Sequence, residues 1–337
     1  MRLGVLDQSP VRSGGTAAEA LHETLELARA CDRWGYGRYW LAEHHSTPGL
    51  GGSSPEVLIG QVAARTSRIR VGAGGVMLQH YSPLKVAESF RVLETLFPGR
   101  IDLGIGRAPG SDPLTARALR ADADLARFPQ QVADVIGFLR NQLPAGHPYS
   151  KVLAMPSGPT APEVWLLGSS DQSALVAAHF GAAFSFAHFI NDEGGAEITR
   201  AYRTRFLASE LLQAPRASVA VFVVCADTEA EALRLATSRD LFIVRLYTGR
   251  AGRYPSVEEA QAYPYTEPEL AIVRHARRRT VTGAPEQVRE RLLALAADYG
   301  VDELVVVTIT HDVKARFRSY ELLAQLFELE EAHPAPV

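Results

Sequence analysis

The chain has 337 residues, 47% hydrophobic and 22% charged, enough for one large barrel or two smaller domains. Its formal net charge of -3 offers no basic footprint for nucleic acid or for an anionic membrane surface. Two cysteines, Cys31 and Cys225, exclude a disulfide framework and a CxxC zinc pair, and no apolar run reaches the roughly 18 residues that span a bilayer.

The opening MRLGVLDQSP carries a short apolar run at 3–6, which Asp7 and Pro10 break too early for a signal peptide. It reads as the first strand of a cytoplasmic protein. A helical stripe of Leu21, Leu25, Ala28 and Cys31 follows. The strand at 39–42 leads to a helix over 55–65, with Ser54 as N-cap and Pro55 in the first position. The strand at 69–78 leads to a helix over 84–97, where Val86, Phe90, Leu93 and Phe97 share a face. The strand at 101–105 is followed, after a long polar loop, by a helix near 130–142. Strands at 164–167, 183–186 and 219–225 then alternate with helices at 171–180, 193–210 and 228–244. Residues 245–279, rich in Tyr, Pro and Gly, form an excursion, and its basic run from His275 to Arg279 is expected to be a solvated face. A helix over 285–299, the strand LVVVTI at 304–309 and a helix over 314–330 complete the chain.

Eight apolar strands alternating with helices imply a parallel sheet buried on both faces. The expected fold is α/β: a (β/α)8 TIM barrel, one domain over 1–337, with 245–279 inserted before the last strand. A doubly wound sheet is the main rival, but no GxGxxG follows the first strand. A barrel gathers its functional groups at the C-terminal ends of its strands. Those ends read Asp7-Gln8-Ser9, Glu43-His44-His45, Gly74-Gly75, Gly106-Arg107, Gly168-Ser169-Ser170, His188, Asp227 and His311-Asp312.

In WLAEHH, neighbouring strand residues point to opposite faces, so His44 and His45 cannot share one ion, and no HxH pair occurs in the chain. A metal site is disfavoured; a base beside a bound cofactor competes with a histidine satisfied by its neighbours, the plainer reading being stronger for His45. In LGIGRAPGSD, Arg107 leaves its strand where a planar fork suits a phosphate or carboxylate. In LLGSSDQSALVAA, the free N–H groups of a helix start, with the hydroxyls of Ser169, Ser170 and Ser173, would cradle an anion. The plainer reading is that Ser170 or Asp171 only caps that helix. VGAGGVML is glycine-rich for a buried strand and suggests a bulge or a flat ligand against the backbone.

At these residues the sequence resembles the bacterial luciferase-like flavin monooxygenases, and within them a single-subunit oxidoreductase subgroup. The likeness runs in family order through LGVLDQSP, WLAEHH, RIRVGAGGVML, QHYSPLKVAE, GRIDLGIGRAPG, VTGAPEQV, YGVDELVVVTIT and RSYELLA. The resemblance implies the (β/α)8 fold with FMN or, in a separate branch, the deazaflavin F420. It implies proton management by His44, a cis peptide at Gly74-Gly75 against the flavin ring, and phosphate binding by Arg107, Ser170 and Ser173. One mouth cavity is expected to hold all of them. The implied reaction is oxygenation of a small organic substrate by reduced FMN and O2 through a C4a-(hydro)peroxyflavin. A separate reductase would supply the reduced flavin. Asp7, His188 and Tyr247 are expected at the substrate pocket, and 245–279 as a lid. Gly106 stands where luciferase has a reactive cysteine, so its aldehyde substrate and light emission are not implied. Family members dimerise through the helices after strands 2 and 3, here 55–65 and 84–97, so a homodimer is expected. An F420-dependent dehydrogenase and a catalytically silent flavin-binding protein are the alternatives.

Overall fold

A computed structural model describes residues 1–108, 110–119 and 125–330. The first half runs β1 (Arg2–Asp7), α1 (Ala17–Arg33), β2 (Arg38–Leu41), α2 (Pro55–Ala63), β3 (Arg70–Met77), α3 (Pro83–Leu96), β4 (Ile101–Gly106), α4 (Pro113–Leu119) and α5 (Phe128–Arg140). The second runs β5 (Glu163–Gly168), α6 (Asp171–Phe180), β6 (Ala183–Ala187), α7 (Gly195–Arg205), β7 (Ala217–Cys225) and α8 (Glu229–Tyr247). It ends with α9 (Val257–Ala262), α10 (Glu267–Arg278), β8 (Thr280–Gly283), α11 (Pro285–Tyr299), β9 (Glu303–Val307) and α12 (Val313–Leu326).

The eight anticipated strands close a parallel ring, β1 to β7 in order and then β9, which returns to β1. This is the TIM barrel. β8 was not anticipated: it pairs only with β7, outside the ring. The excursion begins later than expected, because α8 continues to Tyr247, and it contains two helices, α9 and α10. Their starts carry the reason. Ser256 accepts the Glu259 N–H, and Thr266 with Glu269 forms a reciprocal capping box.

Strand alternation sets the two surfaces of the barrel. Leu6, Trp40, Ala42, Trp165, Phe222 and Val305 cluster in the interior. Val5, Tyr39, Leu41, Val221 and Val306 join the larger core between sheet and helices. Asp7 shares the outward parity of Val5. It is fully buried, accepting from Arg316 (2.6 Å), from the Ser9 N–H (2.7 Å) and from the Tyr39 hydroxyl. Burial alone would raise the Asp7 pKa, but Arg316, Tyr39 and Ser9 outweigh it and hold it below the usual range.

At the N-terminal ends of the strands, Arg38 is 2% exposed and pairs with Asp102 and Glu303, with Glu163 at 3.7 Å. Its guanidinium also lies 4.6 Å from the Trp165 ring centroid. Burial works against the charge of Arg38, and the three carboxylates overcome it, holding its pKa above the ordinary arginine value.

Candidate active site

Two adjoining cavities open at the C-terminal ends of the strands, with Phe189 and Ile190 in the wall of both. The smaller, about 360 Å³, has an apolar floor that includes Leu6, Trp40, Leu167 and Ala220. Its rim is Gly74, Gly75, Arg107, Ser169, Ser170 and Ser173, so every residue expected to bind cofactor lines one space.

Glycine makes that space possible. The Gly74–Gly75 peptide is cis, and the β3–β4 register shifts between Ala73 and Val76. A Cβ on Gly75 would lie 2.8 Å from the Gly104 carbonyl oxygen, so an alanine there would push on backbone. A Cβ on Gly168 would lie 2.2 Å from the Ser173 hydroxyl.

Ser170 stands at the N-cap position of α6, yet its side chain makes no capping hydrogen bond. Asp171 accepts only the adjacent Gln172 N–H (2.8 Å). The simple-cap reading of Ser170 therefore fails. The hydroxyls and the start of the helix dipole face the cavity rim, where they favour an anion. Arg107 donates to the side-chain oxygen of Gln172, and no carboxylate among the described residues pairs with it. A guanidinium without a carboxylate partner beside an N-cap serine whose hydroxyl makes no capping bond suits a phosphate, and the apolar floor suits a flat ring.

The larger cavity, about 630 Å³, holds His44 and Tyr247. One shared cavity for His44 and the anion cradle was expected; the structure divides them across the Phe189–Ile190 wall. His44 is half-buried, and its Nδ1 has no hydrogen-bond partner. Burial, with His45 adding to it, pushes its pKa down to about 4, so the ring is neutral at pH 7. His45 serves the fold: its Nε2 donates to buried Glu43 (2.8 Å), which also accepts from the Tyr81 hydroxyl (2.7 Å) and the Met77 N–H (2.9 Å).

Two expected pocket residues fall elsewhere. Asp7 lines neither cavity, its carboxylate being committed to Arg316, Tyr39 and Ser9. His188 turns away, its Nδ1 3.0 Å from the Tyr299 hydroxyl, and burial lowers its pKa. Two residues were missed: Arg239 and Arg279, each 5% exposed, line the larger cavity. The run expected to be a solvated face is split, with Arg277 and Arg278 at 50% and 56% side-chain exposure and Arg279 turned inward. Among the described residues no cluster of His, Cys, Asp or Glu could hold a metal, and no helix is long and apolar enough to cross a membrane.

A parallel barrel whose strand ends gather glycine backbone, serines and an arginine over an apolar floor has the form of a barrel enzyme. The sequence model of the luciferase-like monooxygenases matches residues 1–303, and the chain belongs to that family. It is 49% identical over 333 residues to uncharacterized protein YwcH of Bacillus subtilis (strain 168), covering 96% of this chain and 98% of that protein. It is 39% identical to the N-acetyl-S-alkylcysteine monooxygenase of the same organism, covering 96% and 97%. The crystal structure of apo-MsnO8 superposes with a TM-score of 0.90 at 39% identity, covering 98% and 99%. Two more distant structures share the fold alone. One is the oxygenating constituent of 3,6-diketocamphane monooxygenase from Pseudomonas putida in complex with FMN (TM-score 0.70, 22% identity, 99% and 100% covered). The other is an F420-dependent secondary alcohol dehydrogenase with an F420-acetone adduct (TM-score 0.64, 12% identity, 98% and 99% covered).

Proposed function

We propose that this chain is a flavin-dependent monooxygenase that uses reduced FMN and O2 to oxygenate a small organic substrate. One observation carries the reading. A single cavity joins an apolar floor to glycine backbone, an Arg107 paired with no carboxylate among the described residues, and three serines, of which Ser170 stands at a helix N-cap without capping it. That is a receptacle for a flat ring with a phosphate tail. Reduced FMN bound there supplies the reaction with O2, chemistry that no side chain of the site provides.

The chain's own residues bind, orient and exclude water. Arg107 and the hydroxyls of Ser169, Ser170 and Ser173 hold the phosphate, and Gly74 and Gly75 let the ring lie close to β3. Leu6 and Trp40 below, with Phe189 at the wall, keep water away. His44, neutral at pH 7, lines the adjoining substrate cavity and is the side chain placed to manage a proton there. Tyr247 borders that cavity, and 245–279 forms its outer edge as a lid. The reduced flavin comes from a separate reductase, the protein works in the cytoplasm, and two copies pair through α2 and α3.

Titration with FMN and with F420, each oxidised and reduced, tests the reading. FMN binds, and Arg107→Ala weakens it by at least about 2 kcal/mol, the loss of a charge-assisted bidentate partner. Tighter binding of F420 than of FMN would replace oxygenation with hydride transfer. Binding of neither would end the proposal, and FMN binding without O2-dependent turnover on any substrate of a broad screen would leave a silent flavin carrier.

A further inference from the structure

The larger cavity contains two positive charges that the flavin reading does not use. Arg239 opens a stripe of α8, with Phe242, Ile243 and Leu246 at the following i+3, i+4 and i+7 positions, and the whole stripe lines the cavity. Arg279 immediately precedes β8, which packs beside α8. Both side chains are 5% exposed, and both have an Nε with no hydrogen-bond partner.

Their partners are neutral. Arg239 has its guanidinium carbon 4.2 Å from the Phe222 ring centroid and reaches the Ala276 carbonyl oxygen at 3.5 Å. Arg279 donates to the carbonyl oxygen of Ile190, in the wall shared with the cofactor cavity. Asp240, next in sequence to Arg239, is committed to Arg277 at 2.5 Å. Among the described residues no carboxylate pairs with Arg239 or Arg279. Burial pushes the pKa of Arg239 down and outweighs the opposing pull of Tyr254 and of the Asp240 charge, and the nearby charge of Arg279 adds to the lowering. The one acid lining this cavity, Asp112, is exposed and accepts from Thr115 and Leu114.

Two buried guanidiniums without an ion-pair partner are costly to fold around, because burial removes hydration that carbonyl oxygens, one aromatic face and the offset charge of Asp240 replace only in part. The cost is offset when a ligand brings the missing anion. The remaining wall, with Phe222, Phe242, Ile243, Leu246 and Ile309, is apolar. The geometry points to a substrate that is a small organic acid: an apolar body in the larger cavity, and a carboxylate held by Arg239 and Arg279. Anchoring at Arg279 seats the acid against the wall that borders the cofactor. This assignment deepens the proposed monooxygenase reading and rests on it for the identity of the neighbouring cavity.

The test uses matched pairs: straight-chain alkanoates and phenylalkanoates of increasing length against their uncharged primary amides, titrated calorimetrically into the protein with and without FMN. At least one acid binds tenfold or more tightly than its amide. Arg239→Met and Arg279→Met each erase that preference while leaving FMN affinity within about twofold, and both variants melt no lower than the parent, because each loses an uncompensated buried charge. Should either fail to fold, Arg239→Lys and Arg279→Lys keep the charge without the fork and lower acid affinity several-fold. The assignment is overturned if no acid outbinds its amide, if the preference survives both methionine variants, or if Arg107→Ala abolishes it instead. Acid preference without FMN binding would sink the flavin reading alone; FMN binding without acid preference would sink this one alone.

Discussion

His44 and His45 share a dipeptide but not a task, and parity explains why. Trp40 and Ala42 face the barrel interior; the same alternation carries His44 to the cavity and leaves Glu43 and His45 to a buried hydrogen-bonded pair. Burial then sets the chemistry of His44. With its pKa moved from 6.5 to about 4, its ring is neutral at pH 7 and a weaker base than a free imidazole. The same shift makes stability depend on pH. Above pH 6.5 the ring is neutral in both folded and unfolded chains and contributes nothing. As pH falls from 6.5 towards 4, the unfolded chain takes up a proton that the folded chain refuses, so folding weakens, by roughly 3 kcal/mol in full. Denaturant unfolding at pH 7 and pH 4.5 should show His44→Gln losing about 2–3 kcal/mol less than the parent over that interval, with FMN affinity kept and turnover reduced. An identical pH response in the two proteins would mean that His44 is solvated and titrates normally. Asp7 was misread for want of the same parity argument. Leu6 points inward, so the next residue had to face the helices, where Arg316 waits.

The ring strands could be read from sequence because each is a continuous apolar run, the mark of a strand covered on both faces. β8 could not. Thr280–Gly283 is four residues long, with Thr280 and Val281 buried but Thr282 only half-buried, and it follows a run of arginines that looks like surface. The rim of the smaller cavity was legible because its glycines and hydroxyls are out of place in strand ends. The substrate cavity was not, because Arg239 sits in a helix and Arg279 in a basic run, where arginine is ordinary. Helices α2 and α3, expected to pair two copies, carry Val57 at 64% exposure and Val92 and Leu96 at 46% and 64%. Val92 and Leu96 lie four residues apart on one face of α3, and α2 packs beside it. Single exposed apolar residues need no explanation; three exposed on two helices that pack together are what the expected pairing of two copies would cover. Val57→Asp with Leu96→Asp should convert a dimer to a folded monomer in sedimentation velocity at micromolar protein. A parent protein that already sediments as a monomer would refute the pairing.

Over the whole molecule, the two ends of the barrel hold charge differently. At the C-terminal ends, Arg107, Arg239 and Arg279 pair with no carboxylate among the described residues, the arrangement proposed above to receive anionic ligands. At the N-terminal ends the charges are matched. Arg38 meets Asp102, Glu303 and Glu163; Arg70 joins Asp102 at 2.6 Å; Arg216 joins Glu163 at 3.0 Å. These carboxylates belong to β4, β5 and β9, so the network ties distant parts of the ring together at its base. Barrels generally keep stability at that end and function at the other. Arg38→Met tests whether the division holds here. It removes the partner that three carboxylates share, two of them almost fully buried, leaving Asp102 to Arg70 and Glu163 to Arg216, and should cost about 3 kcal/mol in denaturant unfolding, with little relief from added salt because the pairs are shielded from solvent. FMN affinity should stay within about twofold, because Trp40 in the cavity floor remains held by Asp102 (2.9 Å) and by its edge contact with Trp165. Arg107→Ala should show the reverse, weaker FMN binding with stability nearly unchanged. If FMN affinity fell in step with stability in Arg38→Met, Trp40 would be carrying strain from the base to the mouth, and the two ends of the barrel would not be independent.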